Sequence, residues 1–392
     1  MPNQSFDSAR FLSEYWQKKP IVIRDFFDSF EDLVELTELQ QLAQEAAVES
    51  RLVRCNEDLG YQLQQGPFTV GELPSSQDSD WTLLIQAAEL WIPDLQQLIE
   101  QFSFLPRWRI DDIMVSYAAS GGGVGPHFDQ YDVFLVHGAG QRRWRLGQKI
   151  AEDTASKALL TTDSGLKLLR EIEVVQEVTL TSGDVLYIPP GYAHWGVGVT
   201  PGFCYSVGFR APSRAEMIEG FSDRLMAAST ESDRFTDVDD LDVPDNGEIT
   251  PAQWQTAWQS LHASLDDPQA FLLAFGCLVT APKYPELIET LTEPAVAAEE
   301  LMRYRAQGIA LVRNPASRLI LAADTPATEP VLFVDGEAYP CTAELVPGIR
   351  KLCAVSPEDT FEIAELWAQE AGQALLCKLV QEGALWLAEA ED

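Results

Sequence analysis

At 392 residues, with 46% hydrophobic and 10% aromatic side chains, the chain has material for two or three domains with buried cores and is not a disordered polymer. It has no apolar run of about 18 residues, which argues against a membrane-spanning helix, and the polar opening at residues 1–10 lacks the apolar core of a secretory leader. A formal charge of −34, from 61 acidic against 27 basic residues, disfavours nucleic-acid phosphates and favours basic partners, or else reflects a general bias towards a soluble acidic surface.

Residues 11–19 read as a short helix stopped by Pro20, and Ile21-Val22-Ile23 as a buried strand. Residues 28–106 read as mainly helical, with strands near residues 50–55 and near Phe68. From Trp108 the period changes to that of strands: residues 113–118, then a flexible turn over 121–125, then residues 131–136. Gly138-Ala139-Gly140 reads as a turn that returns residues 142–146 as a hairpin partner. Further strands are expected at 177–180, 184–188 and 203–209. Many short strands with turn signals indicate a β-barrel or jelly roll.

Residues 215–228 read as a helix. The acidic stretch 231–248 fails the calcium-loop pattern because Leu241 occupies the fifth position, so a solvated linker is expected. Residues 254–273 and 286–303 read as amphipathic helices. Strands at 319–321 and 331–334 follow, with Asp335-Gly336 as a hairpin turn, and then helices at 342–352, 360–371 and 373–382, the first interrupted by Pro347-Gly348. This last region fits a winged-helix-like module. The six cysteines, Cys55, Cys204, Cys277, Cys341, Cys353 and Cys377, form no CxxC pair. Reduced thiols and a cytoplasmic location are expected.

The chemistry concentrates in His127-Phe128-Asp129 and in His194, which follows Pro189-Pro190-Gly191-Tyr192-Ala193. Side chains two apart in an extended segment point the same way, so His127 and Asp129 can reach one metal, with His194 as the third ligand from a distant segment. Two imidazoles and a carboxylate suit a mononuclear non-heme iron(II) site, which keeps positions open for a cosubstrate and oxygen. Taken singly, either histidine reads as a cap at a strand end. Arg142 and Trp144 share one strand face. A guanidinium inside a barrel needs a carboxylate partner, which the far carboxylate of 2-oxoglutarate would provide; the alternative is that Arg142, Arg143 and Arg145 face solvent or surface acids. Gly121-Gly122-Gly123-Val124-Gly125 lacks the Lys-Ser/Thr pair of a phosphate loop and reads as a hinge. His137 and His262 read as structural.

The stretches Trp108-Arg109-Ile110-Asp111-Asp112-Ile113-Met114-Val115-Ser116, Gly121 through Phe134, Arg142-Arg143-Trp144-Arg145, Gly183 through Gly191 and Tyr205 through Pro212 resemble the bacterial JmjC ribosomal oxygenases, as does Tyr15-Trp16-Gln17-Lys18-Lys19-Pro20. The resemblance is strong over residues 1–215 and one of layout beyond them. It implies an α+β chain: a JmjC, cupin-type double-stranded β-helix (jelly roll) over residues 1–212, a helical dimerisation region with the acidic linker over 213–302, and a winged-helix-like domain over 303–392. It implies Fe(II) as the metal, 2-oxoglutarate and O2 as cosubstrates, and hydroxylation at the β-carbon (C3) of an arginine in a large-subunit ribosomal protein.

By the same resemblance His127, Asp129 and His194 are the catalytic iron ligands. Arg142, with Ser116, binds the cosubstrate, and Asp112, Tyr131 and Ser206 line the pocket for the substrate arginine. Asp112 also reads as a structural bond at a strand start, and Tyr131 and Ser206 as ordinary barrel residues. Cys204 departs from the polar amide that some relatives carry. The acidic balance suits a basic ribosomal protein as substrate. Residues 303–392, with 7 basic and 14 acidic residues, suit dimer stabilisation or a basic partner rather than DNA. Three alternatives remain: the same chemistry on another protein, a tRNA or a small molecule; a non-catalytic acidic module that binds basic proteins; and a winged-helix regulator with a cupin sensor.

Overall fold

A computed structural model describes residues 6–56, 60–151, 159–161, 165–236, 247–288, 297–325, 329–357 and 359–388. The chain forms two compact units, Met1–Ala211 and Pro212–Asp392. In chain order the strands of the first unit are β1 (Ile21–Ile23), β2 (Ser50–Asn56), β3 (Gly60–Gln65), β4 (Trp81–Ile85), β5 (Ile110–Ala118), β6 (Asp132–His137), β7 (Gln141–Lys149), β8 (Leu159–Thr161), β9 (Lys167–Leu169), β10 (Gln176–Thr181), β11 (Val185–Ile188), β12 (Tyr192–Thr200) and β13 (Gly202–Phe209).

Eight of these strands form one antiparallel sheet in the order β1-β11-β6-β13-β5-β4-β2-β3, and β10-β7-β12 form a second. Side-chain alternation separates two apolar layers. Phe134, Val136, Ile113, Val115, Tyr205 and Val207 join a core with Phe11, Leu39, Leu95 and Leu98 from the helices Ser8–Glu14, Leu36–Leu42 and Leu95–Glu100. Val133, Leu135, Leu186, Ile188 and Cys204 of the large sheet meet Trp144, Leu146 and Leu180 of the small one, filling the barrel. β6 is therefore buried along its whole length.

Several expectations need correction. The strand expected near residues 50–55 is β2, but residues 28–106 are not mainly helical: β3 and β4 also run through them, and Phe68 lies outside any strand. The fully buried β4 sits between β2 and β5, and its run Trp81-Thr82-Leu83-Leu84-Ile85 carries no period that separates strand from helix. β1 is a partly buried edge strand. The first helix ends at Glu14, before Pro20; Gln17 then turns left-handed, and its N–H donates to the Tyr187 hydroxyl. The expected hairpin between residues 131–136 and 142–146 does not form. β6 pairs with β11 and β13, whereas β7 pairs with β10 and β12. The turn at Gly138–Gly140 carries the chain from one sheet to the other, and Asp32 anchors it by accepting from the Ala139 N–H at 3.2 Å.

In the second unit the expected helix over 254–273 is two helices, Pro251–Leu265 and Pro268–Thr280. Asp267 caps the second by accepting from the Ala270 N–H, and Pro268 sits in its first turn, where a missing N–H costs nothing. The expected helix over 286–303 is seen as Ala298–Ala306, with residues 289–296 outside the described residues; so are residues 237–246 of the acidic stretch. Strands β14 (Ala310–Arg313), β15 (Leu319–Ala322), β16 (Val331–Val334), β17 (Glu337–Pro340) and β18 (Leu385–Ala388) pair as β14-β18 and β15-β16-β17. β14 and β18 were not anticipated. Asp335 and Gly336 both take positive φ, the backbone that a tight hairpin needs. Pro347 falls in the first turn of helix Val346–Ala354 rather than interrupting it. These strands pack with helix Glu370–Gln381 around Leu332, Ile349, Leu352, Leu366 and Leu376.

Two helical glycines separate intrinsic propensity from packing. Gly220, in helix Arg214–Ala228, has open space where a Cβ would go, whereas a Cβ at Gly276 would lie 2.3 Å from the Phe333 ring. Gly220→Ala should stabilise by up to about 1 kcal/mol. Gly276→Ala should destabilise by about 1–3 kcal/mol despite the same helix preference. Denaturant titration of both variants checks the opposite signs.

Candidate active site

The glycine run 121–125 lies alongside β12. Gly121 N–H donates to Gly198 O at 2.8 Å, Gly198 N–H to Gly122 O at 2.8 Å, and His127 and His194 exchange both backbone bonds, at 3.0 and 2.8 Å. A Cβ at Gly123 would sit 2.4 Å from Gly196 O, so only glycine permits this approach. The run is thus a backbone rail fastened to β12, with Gly121 and Gly125 at positive φ. The β12 strand shifts register between Tyr192 and His194, next to the site.

This pairing sets His127 beside His194, with ring centroids 4.2 Å apart. His127 Nδ1 bonds Gly125 O at 2.9 Å, and His194 Nδ1 bonds Tyr192 O at 2.9 Å. Each carbonyl can only accept, so each Nδ1 carries the proton and each Nε2 offers its lone pair. The Asp129 carboxylate lies 3.9 Å from His127 Nε2 and 3.5 Å from His194 Nε2. One donor atom from each of the three residues fits within 4.8 Å of the others. His194 is only 2% exposed; burial, then the neighbouring His127, pushes its pKa down to about 4. Its imidazole is neutral at neutral pH, as a metal ligand must be.

Arg142 points into the barrel on the same face as Trp144 and Leu146. Its Nη1 donates to Ser116 Oγ at 3.0 Å, and Ser116 Oγ donates to Cys204 O at 3.3 Å. Its Nη2 is sealed from solvent without a hydrogen-bond partner. Burial draws the guanidinium pKa down from its usual value. A desolvated cation with an unused donor is costly unless an anion completes it. The alternative of solvent-facing arginines fits the other face of β7: Arg145 bonds Glu177 at 2.7 Å on the outside of the small sheet, and Arg143 shares that face and lies near the same carboxylate.

Asp112 is buried on β5, and its carboxylate accepts from Gln86 Nε2 at 2.6 Å. The Gln86 amide in turn accepts from Arg51. Tyr131 exposes 43% of its surface, yet burial of its hydroxyl and then the charges of Asp129 and Asp112 raise its pKa far above the ordinary value. Ser206 lies on β13 on the same face as Cys204, in register with Met114 and Leu135. The geometry thus gathers Tyr131, Asp112 and Asp129 into one acidic cup. Arg51, on the strand expected near residues 50–55, and Gln86, just after β4, carry no local motif that marks them for Asp112. His137 is buried and accepts the Trp144 indole N–H at 2.9 Å, which agrees with a structural reading.

Comparison with known proteins gives the family. Residues 97–217 match the JmjC domain model and residues 263–386 the ROXA-like winged helix model. The chain is 35% identical over 316 residues to the ribosomal protein uL16 3-hydroxylase of Escherichia coli K12, covering 80% of this chain and 82% of that protein. The chain belongs to the JmjC ribosomal oxygenases. The crystal structure of E. coli YcfD superposes with a TM-score of 0.86 at 30% identity, covering 99% of this chain and 100% of that one. A structure of E. coli YcfD with cobalt and 2-oxoglutarate superposes at 0.83 and 29% identity, over 99% and 100% of the two chains. The family's JmjC and winged-helix modules are thus both present, and the described helices include none long and apolar enough to cross a membrane.

A Cβ at Gly196 would lie 2.7 Å from the Trp144 ring, whose centroid is 6.0 Å from that of His194. Gly196→Ala should push the indole towards His194 and lower cobalt affinity roughly tenfold, the scale of groups that orient metal ligands. Calorimetric titration with cobalt checks this against Gly71→Ala, where a Cβ meets nothing.

Proposed function

We propose that this protein is an iron(II)- and 2-oxoglutarate-dependent hydroxylase that places a hydroxyl on C3 of an arginine in ribosomal protein uL16. The observation that carries the reading is the pairing of three converging donors with a buried, unsatisfied guanidinium nitrogen in the same barrel. The donor set of two imidazoles and a carboxylate suits iron(II), and the orphaned Arg142 Nη2 suits a carboxylate. In this reading His127, Asp129 and His194 hold the iron, and Arg142 with Ser116 holds the distal carboxylate of 2-oxoglutarate. The chemistry such an iron supplies is oxygen activation, in which 2-oxoglutarate leaves as succinate and carbon dioxide and one oxygen atom enters a C–H bond.

The protein's own share is placement. The carbonyls of Gly125 and Tyr192 lock both ligand rings. Arg142 compensates a dicarboxylate inside a closed, apolar barrel lined by Val133, Leu135 and Leu180. At the cup, Asp112 meets the substrate guanidinium with a fixed carboxylate, and Tyr131 and Ser206 line the approach. The charge of −34 favours encounter with a basic ribosomal protein. With 7 basic and 14 acidic residues in 303–392, the winged-helix-like part is a poor match for duplex DNA. A cytoplasmic location follows from a ribosomal substrate.

We extend the proposal to the architecture: a catalytic part over 1–212, a dimerisation region over 213–302 and a winged-helix-like part over 303–392. Helices Arg214–Ala228 and Pro251–Leu265 bury no residue within the described chain. Trp254, Trp258, Leu261 and Leu265 are exposed along one face, an apolar stripe suited to a second copy.

The protein, supplied with iron(II), 2-oxoglutarate and a uL16 peptide containing the arginine, should add the mass of one oxygen atom to that peptide. His127→Ala should abolish the gain. An unmodified peptide, under conditions where E. coli YcfD modifies it, contradicts the substrate assignment. Trp258→Glu with Leu261→Asp should convert a dimer to a monomer in sedimentation, and an unchanged mass contradicts the interface.

A further inference from the structure

Along β7 Trp144 stands between Arg142 and the position opposite His194, and His137 bonds its indole. His137 ends β6 and is buried. Trp144 lies two residues from Arg142 on the same strand face, and its indole Nε1 donates to His137 Nε2 at 2.9 Å. Indole nitrogen is only a donor, so Nε2 of His137 carries no proton and the ring is an acceptor there. Burial, then the nearby Arg142, holds the His137 pKa well below its usual value, which keeps the ring neutral.

The Trp144 ring is held from three directions. His137 takes its N–H. The His194 ring lies 6.0 Å away, centroid to centroid. Gly196 lies directly opposite across the ladder, where any side chain would strike the indole. The indole therefore forms a wall beside the triad histidine, one ladder step from Arg142 on the same strand face.

We propose that His137 is a positioning residue for the cosubstrate: by fixing the Trp144 indole it shapes the passage between Arg142 and the triad, so that a dicarboxylate spanning the two is held in one orientation. The inference rests on the assignment of Arg142 as the anchor. A neutral acceptor at residue 137 is what it requires; a cation there would lose the indole bond and set a second positive charge near Arg142.

The test is equilibrium binding of 2-oxoglutarate to the manganese-loaded full chain, measured calorimetrically without turnover. His137→Gln keeps an acceptor and should bind within about threefold of the parent. His137→Leu and Trp144→Phe each remove one side of the bond and should weaken binding roughly five- to tenfold. The double variant should bind no more weakly than either single one, because both break the same contact. If His137→Leu does not fold, Trp144→Phe against His137→Gln carries the comparison, since the aromatic ring is retained. Parent-like binding by Trp144→Phe, additive losses, or a loss in His137→Gln as large as in His137→Leu overturns the proposal. Arg142→Leu separates the two levels. If it binds 2-oxoglutarate as the parent does, the anchor assignment fails; if it alone weakens binding, the anchor stands and the role of His137 fails.

Discussion

The catalytic half depends on two backbones lying closer together than side chains allow. The segment from Gly121 to His127 runs beside β12, tied by reciprocal bonds at Gly121/Gly122–Gly198 and at His127–His194. A Cβ at Gly123 would strike Gly196 O of β12 at 2.4 Å, and one at Gly198 would strike Ala119 O, just outside the segment, at 2.3 Å. Backbone hydrogen bonds here do what a metal would otherwise have to do alone. They bring two histidines, far apart in sequence, to one spot before any ligand binds, so that the entropy of assembling the site is met during folding.

From that rail the barrel is polarised along its length. At one end His127, Asp129 and His194 offer lone pairs and a carboxylate beside the acidic cup of Asp112 and Tyr131. Deeper in, Arg142 presents an unpaired donor among apolar side chains. Ser116 satisfies one side of this buried cation, and under the proposed function the far carboxylate of 2-oxoglutarate satisfies the other, so the cost of leaving it incomplete would act as selectivity for that ligand. The apolar lining between the ends excludes water and gives the charges their reach.

Local pattern carried the convergence of His127, Asp129 and His194 further than it carried the strand pairing. The spacing of His127 and Asp129 was legible because an extended segment aligns alternate side chains, and Arg142 was legible through its parity with Trp144. β12 was not, although it bears His194: Gly196 and Gly198 dilute its strand signal, and they are there because Trp144 and Ala119 leave no room for a Cβ. β7 was recognised as a strand but given the wrong partner. Pairing across two sheets is a long-range choice, made by the burial of β6 between β11 and β13 and not by the turn that joins β6 to β7. Arg51 and Gln86 could not be seen because the relay from Arg51 through Gln86 to Asp112 exists only once β4 pairs with β5 and β2 pairs with β4. The twin helices around Asp266–Asp267 show the reverse: a cap and a proline read in isolation would have divided them.

The most direct test of the central claim is a crystal structure of the manganese-loaded protein with 2-oxoglutarate bound in the absence of oxygen. The account predicts one metal held by His127 Nε2, His194 Nε2 and the Asp129 carboxylate, with the far carboxylate of 2-oxoglutarate on Arg142 Nη2. A metal bound elsewhere, or a cosubstrate whose far carboxylate leaves Arg142 Nη2 unpaired, would contradict it.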